Sequence, residues 1–304
     1  MLIAIDHGNK QMKTACRPPF VSGLAESTTK PFGSDILMYQ DRYYTLSNQR
    51  IPYKRDKTED DRFFILTLFG IAQEIQAKGV YGENTQRIQL AVGLPPAHYG
   101  AQNKAFARYF LDSGVVKFTY RNRTHAVYID DVRCYPQAYA AAATMMDSLM
   151  GSPRVLIVDI GGFTADYLMM RSGRADLTVC DSLENGVIVL YNQIRKKANS
   201  EFDILLDETD IDSILEGKAG TYSPDVVSLV EQLAQDFVND LANGLRERML
   251  DLSSGKVVFV GGGAIRLQKQ IESSGKVKNA LFVEDINANA KGYEFLYQME
   301  IRNR

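Results

Sequence analysis

Short apolar runs alternate along the chain with stretches of helical spacing, the order of an α/β protein. Leu2–Asp6 reads as an apolar strand ending in an acid. His7-Gly8-Asn9-Lys10 has turn chemistry, and Gln11–Cys16 returns as a second strand. The alternation in Ile36–Leu46 predicts a hairpin, with Tyr39 and Tyr43 on one face. Helical spacing covers Phe63–Ile75, with Gly79 just beyond. A strand at Ile88–Gly93, a helix at Gln102–Leu111, strands at Val115–Tyr120 and His125–Ile129, and a helix at Gln137–Leu149 complete the first block.

The second block restarts the pattern. Val155–Asp159 is again an apolar strand ending in an acid, Gly161-Gly162 again a turn, and Phe163–Met170 again a returning strand. Ala175–Asp181 adds a third strand. Helices are predicted over Val187–Lys197, Asp225–Leu252, Ile265–Ser273 and Ala288–Met299, with strands at Val257–Val260 and Ala280–Val283. Ala198–Pro224 is more weakly patterned and reads as an insertion. The two acid-ended strands finish at positions 6 and 159, about half of the 304 residues apart. A repeat at that distance predicts two related α/β domains, not a solenoid.

Composition narrows the function classes. The formal net charge of -2 removes a whole-chain case for an electrostatic nucleic-acid binder. Cys16, Cys134 and Cys180 form no CxxC pair, and His7, His98 and His125 are scattered. Neither a disulfide framework nor a zinc site with close ligand pairs is expected. Asp6 arrives too early for a signal-peptide core, and no run of about 18 apolar residues exists. The expectation is a cytoplasmic protein with no membrane contact.

The two turns carry the chemistry. Asp6-His7-Gly8-Asn9-Lys10-Gln11-Met12-Lys13 and Asp159-Ile160-Gly161-Gly162-Phe163-Thr164-Ala165-Asp166 each place an acid at a strand end and glycine two residues later. Glycine lets backbone N–H groups approach a ligand, and consecutive N–H groups form an anion-binding concavity. An acid there disfavours a bare phosphate but suits a hydrated divalent cation. Lys13 can neutralise phosphate oxygen, and Thr164 can donate a hydroxyl. Gly261-Gly262-Gly263 follows a late strand and opens a helix, a backbone that a ring or sugar can approach. The Rossmann GxGxxG and P-loop GxxxxGK[ST] spacings are absent.

This ordered set resembles the actin, Hsp70 and sugar-kinase ATPase superfamily. Asp6, Gly8 and Lys13 match its first phosphate motif. Asp159, Gly161, Gly162, Thr164 and Asp166 match the second, and Gly261, Gly262 and Gly263 the adenosine motif. Pro136–Ala141 and Ala288–Tyr293 match the two connecting helices. Within the superfamily the chain is most similar to the ParM/StbA group of actin-like plasmid-segregation ATPases. Gly93-Leu94-Pro95-Pro96, Glu184-Asn185-Gly186 and Asp56-Lys57-Thr58 are further matches.

The resemblance implies an α/β, actin-like (ribonuclease H-like) duplicated two-domain ATPase fold, with nucleotide in the interdomain cleft. Domain I would span 1–149, with a small subdomain near 19–75. Domain II would span 150–304, with one near 198–225. ATP with Mg2+ is the implied ligand pair, GTP the alternative. Gln137 would orient the attacking water, and Asp6 and Asp159 would hold magnesium, through water. Lys13 would contact phosphates and Gly186 pack near the nucleoside. His7 and Asn9 depart from the hydroxyl-bearing first turn of actins, so Asn9 and its neighbours would meet phosphate through backbone N–H groups. The implied partners are other copies, in head-to-tail filaments, and an adaptor protein on centromere-like plasmid DNA. The competing readings are a small-molecule kinase, with Asp130 or Asp131 as carboxylate base, and a non-filamentous ATP-dependent regulator.

Overall fold

The structure, a computed structural model, describes residues 1–80, 84–218 and 220–303. The chain forms two compact units, Met1–Thr144 with Ile286–Arg304, and Met145–Asp285.

The first unit begins with β1 (Leu2–His7), β2 (Gln11–Thr14), β3 (Phe20–Val21), β4 (Leu24–Ser27), β5 (Ile36–Tyr39) and β6 (Arg42–Leu46). After a 3-10 turn at Lys57–Glu59 come α1 (Asp61–Ala77), β7 (Gln86–Leu94), α2 (Pro96–Leu111), β8 (Val115–Tyr120) and β9 (Arg123–Pro136). Then follow α3 (Tyr139–Ala143) and, in the second unit, α4 (Met146–Leu149). The second unit continues with β10 (Arg154–Ile160), β11 (Ala165–Arg171), β12 (Arg174–Leu183), α5 (Val187–Phe202), α6 (Glu208–Leu215), α7 (Pro224–Glu247), β13 (Lys256–Val260), α8 (Gly261–Arg266), α9 (Gln268–Ser273) and β14 (Ala280–Phe282). The last helix, α10 (Ala288–Arg302), returns to the first unit.

The duplication predicted from the repeated turns appears in the topology. The first sheet runs β3-β2-β1-β7-β9-β8-β5-β6-β4 and the second β12-β11-β10-β13-β14. The leading five strands of the first match the second: an antiparallel three-strand meander, then two strands parallel to its inner edge. The central parallel strands read as near-continuous apolar runs because both faces are covered. Ile3, Ile5, Leu90 and Val92 are buried in the first unit, and Val155 to Val158 in the second.

Several boundaries differ from the sequence expectation. The predicted helix over 137–149 is broken into α3 and α4. Thr144 bonds its hydroxyl to the Ala141 carbonyl at 2.6 Å, a side-chain bond that competes with helix continuation. The helix also starts two residues late, for a reason bearing on the site. The expected second domain through 304 loses its last helix to the first unit. Gly292 allows that contact: a Cβ there would stand 1.9 Å from the Ala140 carbonyl oxygen. Gly93 likewise admits the Tyr293 ring. Gln40-Asp41 forms a two-residue loop with positive φ, pairing Tyr39 with Arg42 and Met38 with Tyr43. Tyr39 and Tyr43 therefore lie on opposite faces, not on one.

Of the predicted small subdomains, β4, β5 and β6 extend the first sheet beyond β8, whereas α1 packs on β1 and β2. In the second unit α6 packs against α5 and α7, with Ile211 and Ile214 buried in that unit's core beside Leu206 of the preceding loop. Ala219, within the predicted insertion, and Arg304 lie outside the described residues. All three cysteines are free thiols. Among the described residues no helix is long and apolar enough to cross a membrane.

Candidate functional site

β1 delivers Asp6 and His7 to opposite faces of the first sheet, because side chains alternate along a strand. Asp6 is buried, and its cross-strand partner is Lys13 on β2. Lys13 Nζ donates to Asp6 Oδ2 at 3.2 Å. The other carboxylate oxygen, Oδ1, accepts from Gln137 Nε2 at 2.7 Å. Gln137 is brought there by β9, which runs parallel to β7 and ends at Pro136 opposite Leu94. The Gln137 N–H then donates to the Leu94 carbonyl at 2.8 Å. With the amino end of its amide committed to Asp6, Oε1 is the end that can hold a water hydrogen.

The first turn is built tightly. A Cβ on Gly8 would stand 2.5 Å from the Gln11 carbonyl oxygen, which only glycine avoids. Ser22, fully buried, closes the turn: its N–H donates to the Lys10 carbonyl at 3.2 Å and its hydroxyl to the Gly8 carbonyl. Asn9 Oδ1 is buried without a hydrogen-bond donor among the described residues.

His7 belongs to the core. Thr67 donates its hydroxyl to the Phe63 carbonyl at 2.7 Å, so the 2.7 Å contact with His7 Nε2 requires the imidazole to donate. The ring lies 5.3 Å from both Phe106 and Phe110. Burial, with the nearby Lys57 ammonium, pushes its pKa down to about 3, so the imidazole is neutral. Lys57 is itself buried and donates to the His7 carbonyl, tying the 3-10 turn to the base of the first turn.

In the second unit Asp159 on β10 stands opposite Asp166 on β11, and Asp166 opposite Ser182 on β12. Both acids are buried. Asp166 accepts from the Ser182 hydroxyl and, at 3.2 Å, from the Thr164 hydroxyl, which ties it to the turn. Gly161 N–H closes that turn on the Thr164 carbonyl at 2.8 Å. Val187 and Ile188 N–H groups donate to the Gly161 and Gly162 carbonyls at 3.1 and 2.9 Å. These leading amides of α5 are therefore spent on the turn. Gly186 packs on the same turn: a Cβ would stand 2.3 Å from the Gly162 carbonyl oxygen.

The glycine cluster meets Asp159 directly. Gly261 has φ +91°, and a Cβ there would stand 2.3 Å from Asp159 Oδ1. Gly263 fits against Ile160 and Val187, and the Gly262 carbonyl accepts from Arg266 Nη1 at 3.1 Å. The structure thus gathers the sequence-predicted residues into two groups. Asp6, Gly8, Asn9, Lys13 and Gln137 belong to the first unit. Asp159, Gly161, Gly162, Thr164, Asp166, Gly186 and Gly261 to Gly263 belong to the second. The units differ in charge: where the first sets Lys13 opposite its acid, the second sets another acid.

Asp130 and Asp131 do not join either group. Asp130 pairs with Arg87, while Asp131 accepts from Arg133 and, at 2.7 Å, from the Tyr297 hydroxyl. Asp131 is paired with Gln89, five rungs before Pro136, or about 16 Å along β9. Sequence reasoning missed Ser22, Ser182 and Asn289, the last of which accepts from the Ala138 N–H at 3.0 Å. Their partners are set by strand register and helix docking, which no local motif reports.

Residues 4–139 match the family model of the N-terminal domain of actin-like proteins. Residues 157–273 match that of the C-terminal part of the MreB-like archaeal actin homologues. No curated protein matches the chain in sequence. Among solved structures, the archaeal actin homologue Ta0583 superposes with TM-score 0.78 at 17% identity, covering 98% of this chain and 99% of that one. Its complex with ADP gives TM-score 0.76 over the same shares. Bacillus thuringiensis ParM with AMPPNP gives 0.69 at 13% identity, covering 99% of each chain. The Alp12 filament structure gives 0.67 at 13% identity, covering 98% of each.

Proposed function

We propose that the chain, whose residues 4–139 and 157–273 match two actin-like family models, is an actin-like ATPase that assembles head to tail with bound ATP. The observation that carries the hydrolytic part is the hydrogen-bonded set Lys13–Asp6–Gln137. Each half carries one turn suited to nucleotide phosphate in this reading. Lys13 meets phosphate oxygen, and the glycine backbones of both turns take the remaining charge. Gln137 Oε1 orients the attacking water. An amide aligns water but accepts a proton poorly, so turnover is slow and acts as a timer, catalysis being positioning plus electrostatics.

The residues fit a hydrated magnesium ion. Two buried carboxylates directly opposite on adjacent strands repel, and a cation relieves that. The partnerless Asn9 Oδ1 suits a donor such as a metal-bound water. Magnesium uses few carboxylates and keeps several waters, so single acids in each turn meet its demand. Asp6 in the first turn and Asp159 in the second, with Asp166 opposite Asp159, are the carboxylates that would meet its waters. When bound, the ion neutralises charge on the phosphates.

The Alp12 structure is a filament and ParM is represented with AMPPNP, which supports nucleotide-linked self-assembly here. Head-to-tail contacts are heterologous and leave open ends. The biological setting we propose is cytoplasmic plasmid segregation, with an adaptor carrying the DNA. GTP is the alternative nucleotide. The kinase reading loses support because Asp130 and Asp131 are held in other contacts.

Phosphate release from ATP with magnesium tests this proposal. Asp159→Ala abolishes hydrolysis. Gln137→Ala slows it about 10- to 100-fold, prolongs assemblies and spares nucleotide binding. Wild-type turnover in Gln137→Ala would remove that residue's role.

A further inference from the structure

Gln137 stands on a backbone that needs support. Ala138 has φ 63° and ψ -60°, and Tyr139 N–H donates to the Gln137 carbonyl at 2.6 Å. This is a γ-turn of the positive-φ form, which is rare and strained. Alanine feels the Cβ penalty that glycine would escape. The turn explains why α3 starts at Tyr139, not at Gln137. It also separates the extended end of β9 from the helix within a single residue.

Ala138 is fully buried, so its N–H has no recourse to bulk water. Its acceptor is Asn289 Oδ1 at 3.0 Å. Asn289 is itself buried, in the first turn of α10. That helix is firmly seated. Gly292 lies against Ala140, the Tyr293 ring lies on Gly93, and the Tyr297 hydroxyl donates to Asp131. At the far end Arg133 pairs with Glu300 at 2.6 Å and lies over the Tyr297 ring at 4.5 Å. The acceptor is thus presented from a fixed helix to a strained turn, one residue from the glutamine amide that binds Asp6.

We propose that Asn289 is a positioning residue: its side-chain carbonyl holds the Ala138 amide, and so the γ-turn that aims Gln137 at Asp6. The consequence for turnover rests on the reading of Gln137 given above. The hydrogen bond and the turn do not.

The test uses the full chain with Asn289→Ala, Asn289→Asp, Gln137→Ala and the Asn289→Ala/Gln137→Ala double variant. Asn289→Ala lowers kcat about tenfold, the scale of one buried hydrogen bond, with nucleotide Kd within about twofold of wild type. Asn289→Asp keeps an oxygen acceptor and recovers most of the rate. In the Gln137→Ala background, Asn289→Ala causes no further loss, because both act through one amide. Losses that multiply in the double variant, or a Kd that weakens in step with kcat, would overturn the proposal. If the wild-type protein has no turnover, the hydrolytic reading fails, and Ala138 amide exchange by NMR decides the inference alone. That amide exchanges at least about tenfold faster in Asn289→Ala if the proposal holds, and equal exchange in both proteins overturns it.

Discussion

Acid should weaken the first unit through His7, and one substitution should remove the effect. The imidazole is fully buried, donates to Thr67 and has its pKa lowered from 6.5 to about 3. Between those values the unfolded chain takes up a proton that the folded chain refuses. Stability therefore falls as pH falls from 6.5 towards 3, by up to about 1.4 kcal/mol per pH unit. From pH 7 to pH 4.5 the loss from this one group is about 2.5 kcal/mol. His7→Phe removes the titration and keeps a ring between Phe106 and Phe110. Thr67 still donates to the Phe63 carbonyl. The assay is urea unfolding of both proteins at several pH values, read as the difference between them so that other titrating groups cancel. The variant should gain about 2.5 kcal/mol relative to wild type across that interval. An unchanged difference between pH 7 and pH 4.5, or a His7 imidazole titrating near 6.5 by NMR, would refute the buried-neutral assignment.

Gly261→Ala forces a side chain into a positive-φ position and against Asp159 Oδ1, costing about 1–2 kcal/mol locally. It should lower the second unit's melting temperature and weaken nucleotide binding about tenfold in a titration with ATP and magnesium. Gly292→Ala drives a methyl group into the Ala140 carbonyl, and should cost about 1–3 kcal/mol in urea unfolding of the first unit.

The duplication was legible because its signal is local: an acid ending an apolar strand, glycine two residues later, and the same pair again at Asp159 and Gly161. The Asp6–Lys13 pair was nearly legible for the same reason, since a tight hairpin sets those residues opposite. The Gln137–Asp6 bond was not legible: the resemblance gave each residue a role, but 131 residues separate the partners and no local motif reports their contact. What joins them is the parallel register of β7 and β9. His7 was misleading in sequence, where it stands within the turn motif. The two-residue period turns it away from Asp6 into an aromatic core. Tyr39 and Tyr43 failed in the opposite way: spacing four apart suggested one face, but the Gln40-Asp41 loop reverses the chain between them. The late start of the helix predicted from Gln137 was invisible because the γ-turn at Ala138 is held by Asn289, a residue whose local sequence says only that it lies near a helix start.

Sedimentation with ATP, with ADP and without nucleotide tests the central claim most directly. At high protein concentration with magnesium, the chain should pellet with ATP and remain in solution without nucleotide. Gln137→Ala should stay in the pellet longer than wild type as ATP is consumed. A chain that binds and hydrolyses ATP yet pellets under none of these conditions would contradict assembly and leave a non-filamentous ATPase on the same fold.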